Sequence, residues 1–243
     1  MLRTILAVLF ITIFLIVSIP IWGILFIIGL FNKKAKEKMS YDCVAWAFGV
    51  VLFIAGVNYE VRGLENIPKN QSVVFIGNHQ SFFDVVLGYH LCPAVTGFMS
   101  KDSVKKVPLL NVWMMLNYCI FLTRTDPRTD LKLILKAAEH VENGINIFIF
   151  PEGTRSKDGS FAPFHEASFK IATKSGSQIV PICFTNTREI LEAHMPRIKR
   201  THVIVTFCPA INPATLVGED KKHVGAYVHK IMEKQLEADA KLI

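Results

Sequence analysis

Ile145-Asn146-Ile147-Phe148-Ile149-Phe150-Pro151-Glu152-Gly153-Thr154-Arg155-Ser156 is the stretch on which the fold turns. Its first half is an apolar run broken only by Asn146, the pattern of a strand covered on both faces. Pro151 stops that strand because it has no N–H to give a ladder. Working outward, Ser72–Gly77 is a second short apolar strand that runs into Asn78-His79, and Tyr118–Thr123 is another that ends at Arg124. Thr96–Ser100, Gln178–Phe184 and His202–Cys208 have the same character. Asp126-Pro127 supplies an N-cap and a first-turn proline for a helix carrying Leu131, Ile134, Leu135 and Ala138, which Gly144 stops. Ala167–Lys174 is a short helix closed by Gly176, and Glu219–Lys241 is a charged amphipathic helix. Strands alternating with helices imply an α/β domain, a mainly parallel central sheet flanked by helices. This domain is expected over residues 58–243, preceded by an N-terminal membrane-embedded helical segment, residues 1–57, with the joint at 58–70.

The N-terminal segment is set apart by its apolar excess. Ile5–Phe31 contains no charged residue and lies between Arg3 and Lys33. About 20 apolar residues in a helix cross a bilayer core of about 30 Å, so the run is long enough. A cleaved signal peptide would end its apolar region in small residues, whereas this one continues through Ile24-Leu25-Phe26-Ile27-Ile28. Cys43–Val57 is a shorter apolar stretch with Gly49 and Gly56, suited to a re-entrant or interfacial helix or a short second span. Between them, Asn32–Lys38 reads as a basic turn. By the positive-inside tendency it faces the cytoplasm beside anionic headgroups, placing the protein at the cell membrane with its α/β domain on the cytoplasmic face. A merely solvated linker is the plainer alternative.

Composition agrees with that division. Of 243 residues, 51% are hydrophobic and 19% charged, with a mean hydropathy of +0.36. That is too apolar for a simple soluble domain and too charged for a polytopic channel. The net charge of +7 suits an anionic membrane surface and phosphorylated substrates. No basic stripe interleaved with aromatics points to nucleic acid. The five cysteines are scattered without metal-ligand or redox spacing and read as small buried apolar groups.

Two constellations carry chemistry. In Asn78-His79-Gln80-Ser81-Phe82-Phe83-Asp84, His79 and Asp84 would be about 140° apart on one regular helix. If His79 lies in the strand-to-helix turn and Asp84 one turn into the helix, the carboxylate can reach back to an imidazole nitrogen and fix its tautomer. The alternatives are an Asn78 helix cap and an ordinary turn histidine. In Phe150–Ser156, Gly153 lets the backbone approach a ligand and present its N–H groups, and Arg155 offers a fork of donors for phosphate. Here the alternative is a polar turn with a Glu–Arg surface pair worth little.

Together these motifs resemble the glycerolipid acyltransferase family, most closely the bacterial 1-acylglycerol-3-phosphate acyltransferases. His79 to Asp84 resembles the family's first motif, a histidine and an aspartate separated by four residues. Phe121-Leu122-Thr123-Arg124 resembles the end of the second, Phe150 to Ser156 the third, and Val180-Pro181-Ile182 the fourth. The resemblance covers roughly residues 58 to 210. It implies acyl transfer from an acyl-coenzyme A or acyl carrier protein thioester to the free hydroxyl of 1-acyl-sn-glycerol 3-phosphate, in phosphatidic acid and phospholipid biosynthesis, without a covalent enzyme intermediate or a cofactor. His79 would be the general base and Asp84 its support. Lys101, Arg124, Arg155 and the Gly153–Thr154 backbone would hold the acceptor phosphate, and Glu152 would position Arg155 or a glycerol hydroxyl. No metal is implied. Two departures stand out: Pro163-Phe164-His165-Glu166-Ala167 where members often have Pro-Phe-Lys-Lys-Gly, and Pro108-Leu109-Leu110-Asn111 where Phe-Gly usually follows the proline. Rival functions are acylation of glycerol 3-phosphate or another lysophospholipid, a serine hydrolase using Ser81, and a non-catalytic membrane adaptor.

Overall fold

The structure, a computed structural model, describes residues 1–123, 125–156 and 158–243. Two long helices lead the chain, α1 (Leu2–Phe31) and α2 (Lys33–Ala55). Only Asn32 separates them, and its side chain caps α2 by accepting from Ala35 N–H at 3.0 Å. Lys33, Lys34, Lys36 and Lys38 therefore occupy the first turns of α2, and the basic turn expected over 32–38 is a helix start. Arg3 donates to the Ile54 carbonyl at 3.3 Å, so the start of α1 meets the end of α2 in an antiparallel hairpin. By length and composition both helices are able to cross a membrane, which suggests membrane association. Large apolar side chains cover the outer side of α1, Phe26 and Phe31 among them.

A seven-stranded sheet follows, built from β1 (Asn58–Arg62), β2 (Val73–Gly77), β3 (Thr96–Lys101), β4 (Ile120–Leu122), β5 (Asn146–Ile149), β6 (Gln178–Thr185) and β7 (His202–Phe207). Their order is β1-β7-β6-β2-β5-β3-β4. Every pairing is parallel except β6 with β7, which a mainly parallel expectation accommodates. β2 and β5 sit side by side at the centre, so the two loops that leave them are neighbours. The remaining helices are α3 (Phe82–Leu91), α4 (Leu110–Leu116), α5 (Pro127–Glu142), α6 (Lys170–Ser175), α7 (Gly218–Lys222) and α8 (Val224–Ala240).

The strands are apolar on both faces because both are covered. Val73 and Phe75 of β2 enter one core with Phe148, Phe184, Phe83 and Leu87, closed by α2 residues such as Val51 and Leu52. Val74 and Ile76 enter the other with Ile147, Ile179, Ala137, Ile171 and Val228 of the opposite helices. Three expectations need correcting. Residues 58–62 form strand β1 rather than a joint. The strand expected over Tyr118–Thr123 shrinks to Ile120–Leu122, since Tyr118 takes a positive φ of 60° that ends extended backbone. The helix expected over Glu219–Lys241 is interrupted at His223. There Glu166 receives the Gly225 and Ala226 N–H groups at 3.0 and 3.1 Å, starting α8 afresh. Glu166, in one of the two departures from the resemblance, thus has a structural reason: a cation there would face those N–H groups.

Candidate active site

His79 lies two residues beyond β2 and Asp84 in the first turn of α3. Ser81 is the N-cap, its hydroxyl accepting from Phe83 N–H at 3.0 Å, and Asp84 closes a capping box by accepting from Ser81 N–H at 2.7 Å. The same Asp84 Oδ2 receives Gln80 N–H at 2.6 Å and lies 3.0 Å from His79 Nδ1. Local helix-start geometry therefore brings the carboxylate back to the imidazole. Asn78 does not cap the helix. Its amide bridges to the main chain of β6, accepting from Phe184 N–H at 2.7 Å and donating to the Phe184 carbonyl at 2.9 Å.

Further contacts fix the imidazole. Phe150, at the end of the adjacent strand, stacks on it with ring centroids 4.1 Å apart. Asp84 is fully buried, and its other oxygen, Oδ1, accepts from Thr187 Oγ1 at 2.5 Å. With Nδ1 facing the carboxylate, Nε2 is the nitrogen left to meet a substrate.

The third motif folds around this histidine. Gly153 has φ +75°, and a Cβ there would stand 3.2 Å from the His165 ring, so both conformation and space call for glycine. His165 thus lies against the Gly153 turn. Glu152 is not the partner of Arg155, one of its two expected duties. Its Oε1 accepts from His79 N–H at 2.6 Å and its Oε2 from Ala162 N–H at 3.2 Å, so it braces the backbone under His79. Burial pushes its carboxyl above the usual range, and those two N–H donors oppose the shift. The partner of Arg155 is Glu192, with Nη1 3.0 Å from Oε1, and the guanidinium lies 3.6 Å over the Phe82 ring.

A cavity of about 600 Å³ opens beside His79. Lys101, Gly153, Thr154 and Arg155 stand with His79 and Phe82 in its wall, and the remainder is largely apolar, with Val44, Phe48, Val86 and Phe98 among its residues. The structure therefore brings His79, Lys101, Gly153, Thr154 and Arg155 to one cavity, with Asp84 and Glu152 buried behind them. Arg124 lies outside the described residues. Among the described residues no three His, Cys, Asp or Glu side chains gather as metal ligands.

Thr187 and Glu192 escaped the sequence reading, being more than a hundred residues downstream of Asp84 and Ser81. The signal available was position. Thr187 comes just after the C-terminal end of β6, where sheets of this kind collect functional groups.

Known proteins agree with this architecture. Residues 58–185 match the family described as Acyltransferase. A chloroplastic 1-acyl-sn-glycerol-3-phosphate acyltransferase of Brassica napus is 32% identical over 67% of this chain, which spans only 46% of that relative's length. The 1-acyl-sn-glycerol-3-phosphate acyltransferase of Borreliella burgdorferi is 28% identical, over 82% of this chain and 80% of its own. The crystal structure of the 1-acyl-sn-glycerophosphate acyltransferase of Thermotoga maritima superposes with a TM-score of 0.79 across 97% of both chains. At 22% identity that last likeness speaks for the fold. With the family match covering strands β1 to β6, the His79 turn and the Arg155 turn together, this chain belongs to the acyltransferase family.

Proposed function

We propose that the protein transfers a fatty acyl group from an acyl thioester to the free hydroxyl of 1-acyl-sn-glycerol 3-phosphate, giving phosphatidic acid. One observation carries the proposal: a carboxylate-supported histidine stands in the wall of a largely apolar cavity whose other wall groups include the cations Lys101 and Arg155. An acceptor that is anionic at one end and aliphatic at the other fits such a site. The relatives named for this acceptor point the same way.

His79 Nε2 takes the proton of the acceptor hydroxyl as its oxygen attacks the thioester carbonyl. Asp84 stabilises the imidazolium that forms, as general-base catalysis of this kind requires. The tetrahedral adduct then expels the thiolate, which recovers the proton from His79. Arg155 and Lys101 receive the phosphate, with the Gly153–Thr154 backbone and Arg124 assigned the same duty, and the apolar wall takes an acyl chain. Both substrates are held together, which supplies much of the acceleration. The thioester, of coenzyme A or of acyl carrier protein, is a co-substrate, and no cofactor takes part.

The hairpin keeps this site at a membrane. Along α1, Thr4 Oγ1 donates to the Pro196 carbonyl at 3.0 Å, and Phe14 and Trp22 pack on Trp113 of α4. A helix attached to the domain at several points along its length is immersed from one side of the bilayer, and the lysines of α2 favour the cytoplasmic side. Ser81 is a poor hydrolase nucleophile: it is fully buried, and its hydroxyl donates to Glu192 at 2.5 Å.

The test is initial-rate assay of purified protein in detergent with lysophosphatidic acid and glycerol 3-phosphate, each against acyl-coenzyme A and acyl carrier protein thioesters. Transfer to lysophosphatidic acid, lost in His79→Ala with an unchanged circular dichroism spectrum, is the expected result. Trapping of an acyl-enzyme, or full activity of the variant, would overturn the mechanism.

A further inference from the structure

Glu192 lies in a 3-10 turn, Glu192–His194, in the connection between β6 and β7, and the chemistry above gives it no duty. Its side chain is only 12% exposed. Oε2 accepts from Ser81 Oγ at 2.5 Å, while Oε1 accepts from Phe82 N–H at 2.8 Å and from Arg155 Nη1 at 3.0 Å. One carboxylate therefore joins the start of α3 to the arginine in the cavity wall. Ser81 and Asp84 serve the Phe83 and Ser81 N–H groups and Glu192 adds the Phe82 N–H, but capping does not explain the bond from the same Oε1 to Arg155. Arg155 also lies 3.6 Å over the Phe82 ring. A ring face sets the height of a guanidinium but lets it rotate and slide, whereas a hydrogen-bonded carboxylate fixes it within the plane. With Nη1 engaged, the guanidinium keeps donors on its other nitrogens for a second anion.

We propose that Glu192 is a positioning residue for the acceptor, holding Arg155 so that the acceptor's phosphate docks at a fixed distance from His79. The proposal rests on the assignment of Arg155 to that phosphate. Because Phe82 and Ser81 lead directly into the turn that carries Asp84, Glu192 references the phosphate-binding group to the same helix end that aligns the base. A guanidinium no longer held in place loses part of its charge-assisted bonding to the phosphate, about 1.4 kcal/mol or more, so a loosened Arg155 should raise the acceptor KM by about 10-fold or more.

The experiment uses the full chain in detergent and measures KM and kcat for lysophosphatidic acid and for acyl-coenzyme A, or for acyl carrier protein thioester where that is the donor. Wild type, Glu192→Gln, Arg155→Ala and the double variant are compared. Glutamine keeps the size of the side chain but removes its charge and puts a donor where one oxygen accepts, so that variant should keep its circular dichroism spectrum and thioester KM while its acceptor KM rises. In the Arg155→Ala background Glu192→Gln should add nothing, because it acts through the arginine. An acceptor KM that stays unchanged or falls in Glu192→Gln, or effects of the two substitutions that multiply, would overturn the proposal. Those outcomes leave the proposed function standing. Wild-type protein that acylates no lysophosphatidic acid with either thioester would instead remove the function, and the role of Glu192 with it.

Discussion

Thr187→Val tests how firmly the buried aspartate is held. The substitution replaces one hydroxyl by a methyl group of nearly the same volume and leaves the fully buried site filled. Asp84 Oδ2 keeps His79 Nδ1 and the N–H groups of Gln80 and Ser81. Oδ1 loses the Thr187 hydroxyl at 2.5 Å. Hydrogen bonds to charged groups contribute about 1.5–3 kcal/mol, and a buried acceptor left unmade costs about as much. For a chain of this size about 2 kcal/mol lowers the unfolding midpoint by about 4–8 °C. Turnover should suffer less. His79 retains its bond to Oδ2, so kcat should fall by no more than about tenfold, a factor equivalent to about 1.4 kcal/mol. Circular dichroism melting in detergent reads the first quantity and initial rates at saturating substrates the second. A midpoint within a degree of wild type together with an unchanged kcat would refute the claim that Thr187 secures the aspartate.

Other outcomes follow from the same geometry. Val44 of α2 lines the cavity, so Val44→Phe should cut turnover of long-chain thioesters by at least about tenfold relative to medium-chain ones; equal loss across chain lengths would mean that the acyl chain lies elsewhere. A Cβ on Gly97 would stand 2.3 Å from the Tyr118 carbonyl oxygen, a backbone atom that cannot step aside. Gly97→Ala should therefore cost the upper end of about 1–3 kcal/mol, seen as a lowered denaturation midpoint, and a wild-type midpoint would contradict it. Burial raises the Glu152 carboxyl, so its contribution to stability is full below the unfolded value of about 4.3 and falls away as pH rises through the higher folded value. Carboxyl-resolved NMR titration comparing wild type with Glu152→Gln should show this group titrating above an ordinary glutamate, and a value at or below that range would be the contrary result.

The central strands and the His79–Asp84 contact were legible because each is local. Ile145–Phe150 and Ser72–Gly77 are apolar throughout since both faces are covered, and a capping box spans only the residues between Ser81 and Asp84. β1 went unread for the opposite reason. Asn58-Tyr59-Glu60-Val61-Arg62 alternates polar with apolar, as an edge strand with one covered face should, but the strand it pairs with, β7, lies far along the chain. The hairpin was half read: hydropathy finds α1, but the lysines of α2 lowered the signal that a single N-cap residue, Asn32, was enough to overrule. At the site the same distinction holds. Glu152 and Arg155 look like a natural pair in one polar turn, yet the sheet sets Glu152 beneath His79 and brings Glu192 across to Arg155. Sequence proximity misleads there because buried carboxylates go where N–H groups are otherwise unpaired, and only the assembled sheet determines where those are. The residues to which the proposed chemistry is assigned are thus readable from motifs, while Thr187 and Glu192, bonded to Asp84 and Arg155, become visible only once β6 is laid beside β2.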